Sequence, residues 1–154
     1  MTEHANAAPT PTSVKFGRTT PILRVANLEA SIAFYVEKLG FHLHWSNRGF
    51  ASVGREGATV MLCEGDQGHA GTWLYLGVND VDTLADELRR KGAIIRLPPA
   101  NYPWGAREMQ LADPDGHVIR FGADARPGEP VGDWLDGEGV RWKPQDDGSW
   151  RAAE

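Results

Sequence analysis

The chain has few of the residues on which several classes of site depend. Only one of its 154 residues is a cysteine, Cys63, which excludes an intramolecular disulfide framework and a metal cluster held by thiolates. No apolar run reaches the roughly 18 residues of a membrane-spanning helix, and the first residues lack the basic start and apolar stretch of an export signal. We therefore expect a cytoplasmic protein that does not associate with membranes.

Positive charge is also scarce. The formal net charge is −5 at pH 7, and most of the excess arises in residues 123–154, which hold eight acidic and four basic side chains. The clustered cations Arg89, Arg90 and Lys91 fall where a helix is predicted to end, and the helix dipole accounts for them. Because no basic stripe remains, the sequence disfavours nucleic-acid binding.

What the sequence does contain is one structural pattern that occurs twice. A helical periodicity that ends at Gly40 recurs and ends again at Gly92. A short apolar strand precedes each helix, and several strand-like runs follow it. The pattern predicts an α+β domain built from two similar modules, about residues 19–66 and 71–122. A duplication of this kind favours a site shared by the two halves.

The segment before this domain has a different composition. Residues 1–18 are rich in Ala, Pro and Thr and lack periodic apolar positions. Such a segment cannot bury enough apolar surface to offset its conformational entropy. We predict a disordered leader over residues 1–18, followed by a domain over residues 19–122.

Several motifs of the predicted domain occur in an order that resembles a known superfamily. They are Ala33-Phe34-Tyr35, Leu39-Gly40-Phe41, the helix start Asp80-Val81-Asp82, Pro103-Trp104-Gly105, Arg107-Glu108 and Asp113-Pro114-Asp115-Gly116-His117. Over residues 19–122 they resemble the vicinal oxygen chelate superfamily of glyoxalases, dioxygenases and bleomycin resistance proteins, and most closely the bleomycin resistance branch. The resemblance implies two βαβββ modules whose curved mixed sheets surround a cleft, in a homodimer with the cleft at or near the subunit contact.

The resemblance also implies where a metal would be bound. Enzymes of the superfamily hold a divalent metal with His, Gln or Glu side chains of the first and last strands of each module. The matching positions here are Thr20, Met61 or Cys63 depending on register, Trp73 and Arg120. Threonine is a poor ligand, and three of the four positions cannot supply a usual ligand to a hard or borderline dication. We therefore predict no metal site, no cofactor and no catalytic residues.

Without a metal, ligand binding becomes the leading functional hypothesis. The resemblance and the aromatic side chains favour a small-molecule-binding protein that sequesters a planar antibiotic or related ligand, aromatic or glycopeptide in nature. Flat rings in a cleft can stack on such a ligand. The predicted ligand-binding residues are Phe50, Met61, Cys63, Trp73, Tyr75, Trp104 and Arg120.

Two alternatives stay open at this point. The aromatic side chains can instead fill the cleft, and Arg120 can be the partner of a carboxylate such as Glu108 rather than a clamp for the ligand. In the second alternative the protein is a metal-dependent lyase or dioxygenase whose ligands lie elsewhere. Candidates for that ligand set are His42, His44, Glu64 and His69.

The tail, residues 123–154, lies outside the resemblance and contains Trp134, Trp142 and Trp150, three of the six tryptophans. Strand-like runs on either side of Asp146-Asp147-Gly148 are typical of a short hairpin. Because three tryptophans are seldom all left in water, we predict that the tail packs on the domain or on a partner subunit, where it can enlarge or close the site.

Deletion of residues 123–154 should therefore lower the melting temperature or the solubility of the protein, because the surface that the tail covers becomes exposed. Thermal unfolding of the full-length and truncated proteins measures the difference. An unchanged melting temperature would show that the tail is not docked.

Overall fold

The two halves of the chain fold to the same plan. The structure, a computed structural model, describes residues 13–154. The first module contains β1 (Ile22–Arg24), α1 (Leu28–Ala33), β2 (His42–Asn47), β3 (Phe50–Arg55) and β4 (Ala58–Cys63). The second contains β5 (Trp73–Gly77), α2 (Val81–Arg90), β6 (Ile95–Asn101), β7 (Ala106–Ala112) and β8 (Val118–Asp124). The tail adds the short strands β9 (Trp134–Leu135), β10 (Arg141–Pro144) and β11 (Trp150–Ala152).

Each module is a βαβββ unit with a mixed sheet, so the predicted α+β class is confirmed. The strand orders are β1-β4-β3-β2 and β5-β8-β7-β6, which place the first strand of each module at a sheet edge. The first strand runs parallel to the last strand of its module in both cases, and the remaining pairs are antiparallel. Equivalent strands therefore occupy equivalent places in the two sheets.

Both helices begin and end as their sequences indicate. The Asn27 side chain accepts a hydrogen bond from the Ala30 amide (2.9 Å), and Asp80 accepts one from the Thr83 amide (3.1 Å). These bonds satisfy amides that have no partner within the helix. After Ala33 the first helix widens into a π-helical turn, Phe34–Lys38, which leads to Gly40 at a φ of 71°. That left-handed conformation favours glycine.

One continuous hydrophobic core joins the two modules. In each sheet, alternate side chains point toward the helix of that module and are buried. The core members include Leu23 and Leu62 from the first sheet and Met109 and Ile119 from the second, all fully buried. The remaining side chains of each strand lie on the opposite face of its sheet, which faces away from this core.

Two strands differ in length from the sequence prediction. The apolar pattern predicts a strand over residues 20–25, but β1 begins only after Pro21, which has no amide hydrogen to donate to a ladder. The sequence likewise predicts a strand over residues 94–97 and a loop over residues 98–103, yet β6 continues to Asn101. It tolerates two prolines because it is an edge strand, and its register shifts between Leu97 and Ala100.

The Asp113-Pro114-Asp115-Gly116 motif, whose residue types predict a turn, also connects the two modules. Asp113 accepts hydrogen bonds from the amides of Asp115 and His117 (both 2.9 Å), as expected of a turn aspartate. Asp115, however, reaches the first module. It accepts hydrogen bonds from the Ala26 amide (2.8 Å) and the Ser31 hydroxyl (3.2 Å), so it holds the start of the first helix.

Two buried side chains complete this junction between the modules. The Tyr35 hydroxyl donates to Asp113 (2.9 Å), and burial raises the pKa of this tyrosine far above its usual value. His117 is fully buried; its Nδ1 accepts from the Thr72 amide (3.0 Å), so Nε2 carries the proton that it donates to the Arg24 carbonyl (2.7 Å). The turn therefore fixes the relative position of the two sheets.

Of the predicted leader, residues 1–12 lie outside the described residues, and residues 13–18 are exposed without helix or strand. Within residues 13–154, neither helix is long and apolar enough to cross a membrane.

Removal of the Tyr35 hydroxyl tests how much the hydrogen bond between Tyr35 and Asp113 contributes to the contact between the modules. Tyr35→Phe should lower the free energy of unfolding by about 1–2 kcal/mol, because a buried carboxyl group loses one donor. Urea denaturation measures the loss. Tyr75→Phe is the matched control, since Tyr75 is 52% exposed and its hydroxyl makes no hydrogen bond within residues 13–154. Equal losses in the two variants would contradict the account.

Candidate ligand-binding site

The face of the second sheet that points away from the core carries polar and aromatic side chains. Leu74 and Leu76 of β5 pack against the core, so strand alternation turns Trp73 and Tyr75 to the other face. In the ladder, Tyr75 lies opposite Arg120 on β8. This arrangement brings together residues that are distant in sequence.

The buried carboxylate of Glu108 on β7 organises this face. It accepts hydrogen bonds from Arg120 Nε (2.9 Å) and Nη2 (3.0 Å) and from Trp104 Nε1 (2.6 Å). The Glu108 side chain is only 1% exposed, whereas that of Arg120 is 27% exposed. The sequence left open whether Arg120 pairs with Glu108 or clamps a ligand, and the structure shows the pair.

Three aromatic rings surround the guanidinium of Arg120. Its Cζ lies 5.0 Å from the ring centroid of Trp134, 5.3 Å from that of Tyr75 and 5.9 Å from that of Trp104. The Tyr75 ring reaches across β8 above Gly122, where any Cβ would collide with the phenol. Glycine at 122 thus allows Tyr75 to lie against the arginine, whose positive charge is attracted to the faces of the rings.

The tail covers part of this face. Trp134 stacks on Trp73 (centroids 6.1 Å apart) and meets Tyr102 and Trp104 edge to face at 5.6 and 5.5 Å. Strand β10 pairs with both β9 and β11, so the predicted hairpin is present as part of a three-stranded sheet. This small sheet places two further tryptophans beside the second module.

A cavity of about 630 Å³ lies between the second sheet and the tail. Its volume falls within the range of small-molecule sites, roughly 300–1,000 Å³. The residues that line it, two from the second module and four from the tail, are Trp104, Arg120, Trp134, Asp136, Trp142 and Trp150.

Asp136 is the carboxylate of this cavity. Its side chain accepts hydrogen bonds from Trp142 Nε1 and from the amides of Val140 and Glu138, all at 2.9 Å. The bond from Trp142 and those from the backbone hold the pKa of Asp136 below its usual value. The group is therefore ionised at neutral pH, and it also fixes the orientation of the Trp142 indole.

The predicted ligand-binding residues fall into two groups. Trp104, which is 51% exposed, and Arg120 line the cavity; Tyr75 packs against Arg120, and Trp73 lies beneath Trp134. Phe50, Met61 and Cys63 belong to the free face of the first sheet, and none of them lines this cavity.

That free face of the first sheet has its own local contacts. Phe50 and Cys63 are opposite each other in the ladder, and Phe50 stacks on Trp45 at 6.1 Å between centroids. Cys63 is buried, as expected for a small apolar side chain.

The cavity-lining residues Asp136, Trp134, Trp142 and Trp150 were not predicted as site residues. The resemblance ends before them, so no motif could assign them a role. The available signal was the concentration of tryptophan in the tail, which predicted docking without identifying the surface that the tail covers.

The side chains at the superfamily's metal positions do not fit a divalent metal. Thr20 precedes β1, Met61 lies opposite Ile22, and Arg120 is engaged with Glu108. A thioether, an indole and a guanidinium offer no usual ligand to such an ion.

The alternative ligand set is not assembled either. Glu64 accepts a hydrogen bond from the Leu28 amide (2.6 Å) at the start of the first helix, and His44 contacts the Ser52 hydroxyl (3.3 Å). Within residues 13–154, no three His, Cys, Asp or Glu side chains are grouped in a way that could hold a metal ion.

A second cavity, of about 1,040 Å³, lies between the modules near the β3–β4 turn. Arg55 and Glu87, which line it, form a two-point ion pair at 2.7 and 3.1 Å. Two of its charged groups thus pair with each other, and its aromatic lining residues are Phe41, Tyr75 and Phe121.

Comparison with known proteins agrees with the fold and the motifs. The model of the Glyoxalase/Bleomycin resistance protein/Dioxygenase superfamily matches residues 15–121, which is more than half of the chain. The chain belongs to this superfamily. The predicted family is confirmed, and the tail lies outside the matched residues.

Similar proteins include both binding proteins and a lyase. A bleomycin-binding protein from bleomycin-producing Streptomyces verticillus, solved with copper(II)-bleomycin, is 28% identical with a TM-score of 0.61, over 71% of this chain and 98% of that chain. The antibiotic-binding protein TnmS3 from Streptomyces sp. CB03234 is 27% identical with a TM-score of 0.63, over 73% and 99%. A probable lactoylglutathione lyase of Vibrio cholerae serotype O1 is 28% identical over 117 residues, 65% of this chain and 85% of the relative.

Loss of the Glu108 charge should destabilise the protein. Glu108→Gln removes the charge that compensates Arg120, and we expect a loss of about 2–3 kcal/mol in the free energy of unfolding. Glu87→Gln is the matched control, because Glu87 forms the same kind of two-point pair with Arg55 but its side chain is 30% exposed. For this pair we expect less than about 1 kcal/mol. Urea denaturation compares the variants, and similar losses would show that burial of Glu108 is unimportant.

Proposed function

We propose that the protein binds and sequesters a planar aromatic small molecule, such as an antibiotic, without a bound metal. The observation that carries this proposal is the cavity of about 630 Å³ that Trp104 and three tail tryptophans line. Flat rings stack on flat ligands with about 0.5–1.5 kcal/mol per contact beyond burial. The likeness to two antibiotic-binding proteins supports the same class of ligand.

The side chains of the cavity are suited to binding rather than to activation of a substrate. Arg120 already satisfies Glu108, and Asp136 already accepts three hydrogen bonds, so neither is poised as an acid or a base. The probable lyase among the relatives keeps metal-dependent lyase chemistry as the second candidate function. That candidate needs a ligand set which the superfamily positions of this chain do not supply.

The proposed form of the protein is a cytoplasmic homodimer. The free face of the first sheet exposes the Trp45 side chain by 42%, and Phe50 lies beside Trp45. A second copy of the chain would remove these apolar side chains from water. In such a dimer the predicted residues of the first sheet would lie near the subunit contact.

Ligand binding is tested by titrating a panel of planar aromatic and glycopeptide antibiotics while tryptophan fluorescence and the melting temperature are recorded. We expect at least one compound to quench fluorescence and raise the melting temperature. Trp104→Leu should weaken its binding about tenfold, because a stacking wall is lost. Ile94→Ala, which shortens an exposed side chain outside the cavity, should leave the affinity unchanged. Equal affinity in the Trp104 variant would contradict the proposed site.

The metal-free hypothesis has a separate test. Protein purified without added metal should contain far less than one Ni, Zn, Fe or Mn ion per chain when measured by mass spectrometry. A stoichiometric ion would favour the lyase or dioxygenase candidate.

A further inference from the structure

Two of the tail tryptophans have ring faces that no other ring covers. Trp134 is already engaged by Trp73, Tyr102, Trp104 and the Arg120 guanidinium. Trp142 and Trp150, by contrast, line the cavity without stacking on any ring or cation among residues 13–154. Both half-buried indoles therefore border the cavity without an aromatic or cationic partner among the described residues.

The two walls of the cavity differ in how their charged side chains are paired. On the sheet side, the charge of Arg120 is matched by the two-point bond with Glu108. On the tail side, the lining contributes the ionised carboxylate of Asp136, with no cation among the other lining residues of the tail. The tail wall of the cavity is therefore negative and aromatic.

Arg96 moderates this negative charge from outside the lining. Its guanidinium donates to the Asp136 carbonyl (2.5 Å) and to Gln110 (2.8 Å), and it lies 5.7 Å from the Trp73 ring centroid. It contacts the backbone of Asp136 rather than its carboxylate, and it does not line the cavity. The expected preference for a cation is accordingly moderate.

The aromatic rings already hold one planar cation, the Arg120 guanidinium, between Tyr75, Trp104 and Trp134. The negative face of an indole ring attracts a cation within about 6 Å of its centroid. The same chemistry is available to a ligand on the tail side, where Trp142 and Trp150 accompany a carboxylate.

We propose that the tail makes this cavity selective for a planar aromatic cation, which stacks on Trp142 and Trp150 and places its charge near Asp136. This inference rests on the proposed function and adds the charge of the ligand to it. It concerns residues outside the part of the chain that the family model matches.

Three tricyclic probes of similar shape test the selectivity at pH 7.5: 10-methylacridinium, a permanent cation; acridine, which is neutral; and acridine-9-carboxylate, an anion. We expect affinity to fall in that order, with the cation bound about tenfold more tightly than the anion. Fluorescence titration of the full-length protein gives the three dissociation constants. Equal affinities, tighter binding of the anion or binding of none of the probes would overturn the proposal.

Variants of the tail locate the effect. Asp136→Asn should bring the cation-to-anion affinity ratio close to one, because the amide carries no charge. Its single oxygen can keep the two backbone bonds at Oδ1, while the bond from Trp142 to Oδ2 is lost. Asp147→Asn is the matched control: Asp147 also accepts bonds from its own turn, at the Ser149 amide (2.9 Å) and hydroxyl (2.6 Å), but does not line the cavity. This control should keep the wild-type ratio. A ratio unchanged by Asp136→Asn would overturn the role of Asp136.

The stacking role is tested by Trp142→Leu and Trp150→Leu, each of which should weaken binding of 10-methylacridinium at least fivefold. Circular dichroism establishes that each variant is folded. The cation-to-anion affinity ratio of the wild-type protein tests the proposal even if a variant does not fold. If Trp104→Leu weakens antibiotic binding while both tail variants bind normally, the tail proposal falls and the proposed function stands. If no antibiotic in the panel binds, the proposed function falls as well.

Discussion

The carboxylate of Glu108 lies almost fully out of water at the centre of the second sheet, and the site depends on how its charge is satisfied. A buried carboxylate is costly unless it is paired and hydrogen-bonded. Here Arg120 supplies two donors and the Trp104 indole supplies a third. These bonds fix a guanidinium and a large ring on the same face, and Trp134 of the tail packs against both. The hydrogen bonds to the Glu108 carboxylate thus position the two residues of the second sheet that line the cavity, Trp104 and Arg120.

The scaffold that presents this face is held by a different set of contacts. The turn at residues 113–116 ties the first helix to the second sheet through Asp115, while His117 joins the end of β1 to the start of β5. These bonds act together with the shared core, so each module limits the movement of the other. Because the helices occupy the core side of each sheet, the opposite faces are left for other contacts. The tail covers part of this face in the second sheet, and in the first sheet it exposes Trp45.

Periodicity, helix caps and turn residues were sufficient to predict the two modules and their helices. Asn27 and Asp80 cap helices as expected, because capping depends on a few adjacent residues. The site was less predictable. The sequence offered the pairing of Arg120 with Glu108 only as an alternative to a ligand clamp, and the structure shows the pair. Phe50, Met61 and Cys63 were predicted to share a site with residues of the second sheet, but they do not line the cavity. Contacts between sheets are not encoded by local patterns. Asp136 was missed because nothing in its turn motif shows which surface the tail covers.

In the proposed function, the cavity holds a flat ligand between the indole of Trp104 on the sheet side and an indole of the tail. The most direct measurement is a crystal structure of the full chain soaked with the antibiotic that binds most tightly in solution. The account predicts planar density between Trp104 and the indoles of Trp142 and Trp150, with the Arg120–Glu108 pair intact. Density for the ligand elsewhere, or an ion bound at the superfamily's metal positions, would contradict it.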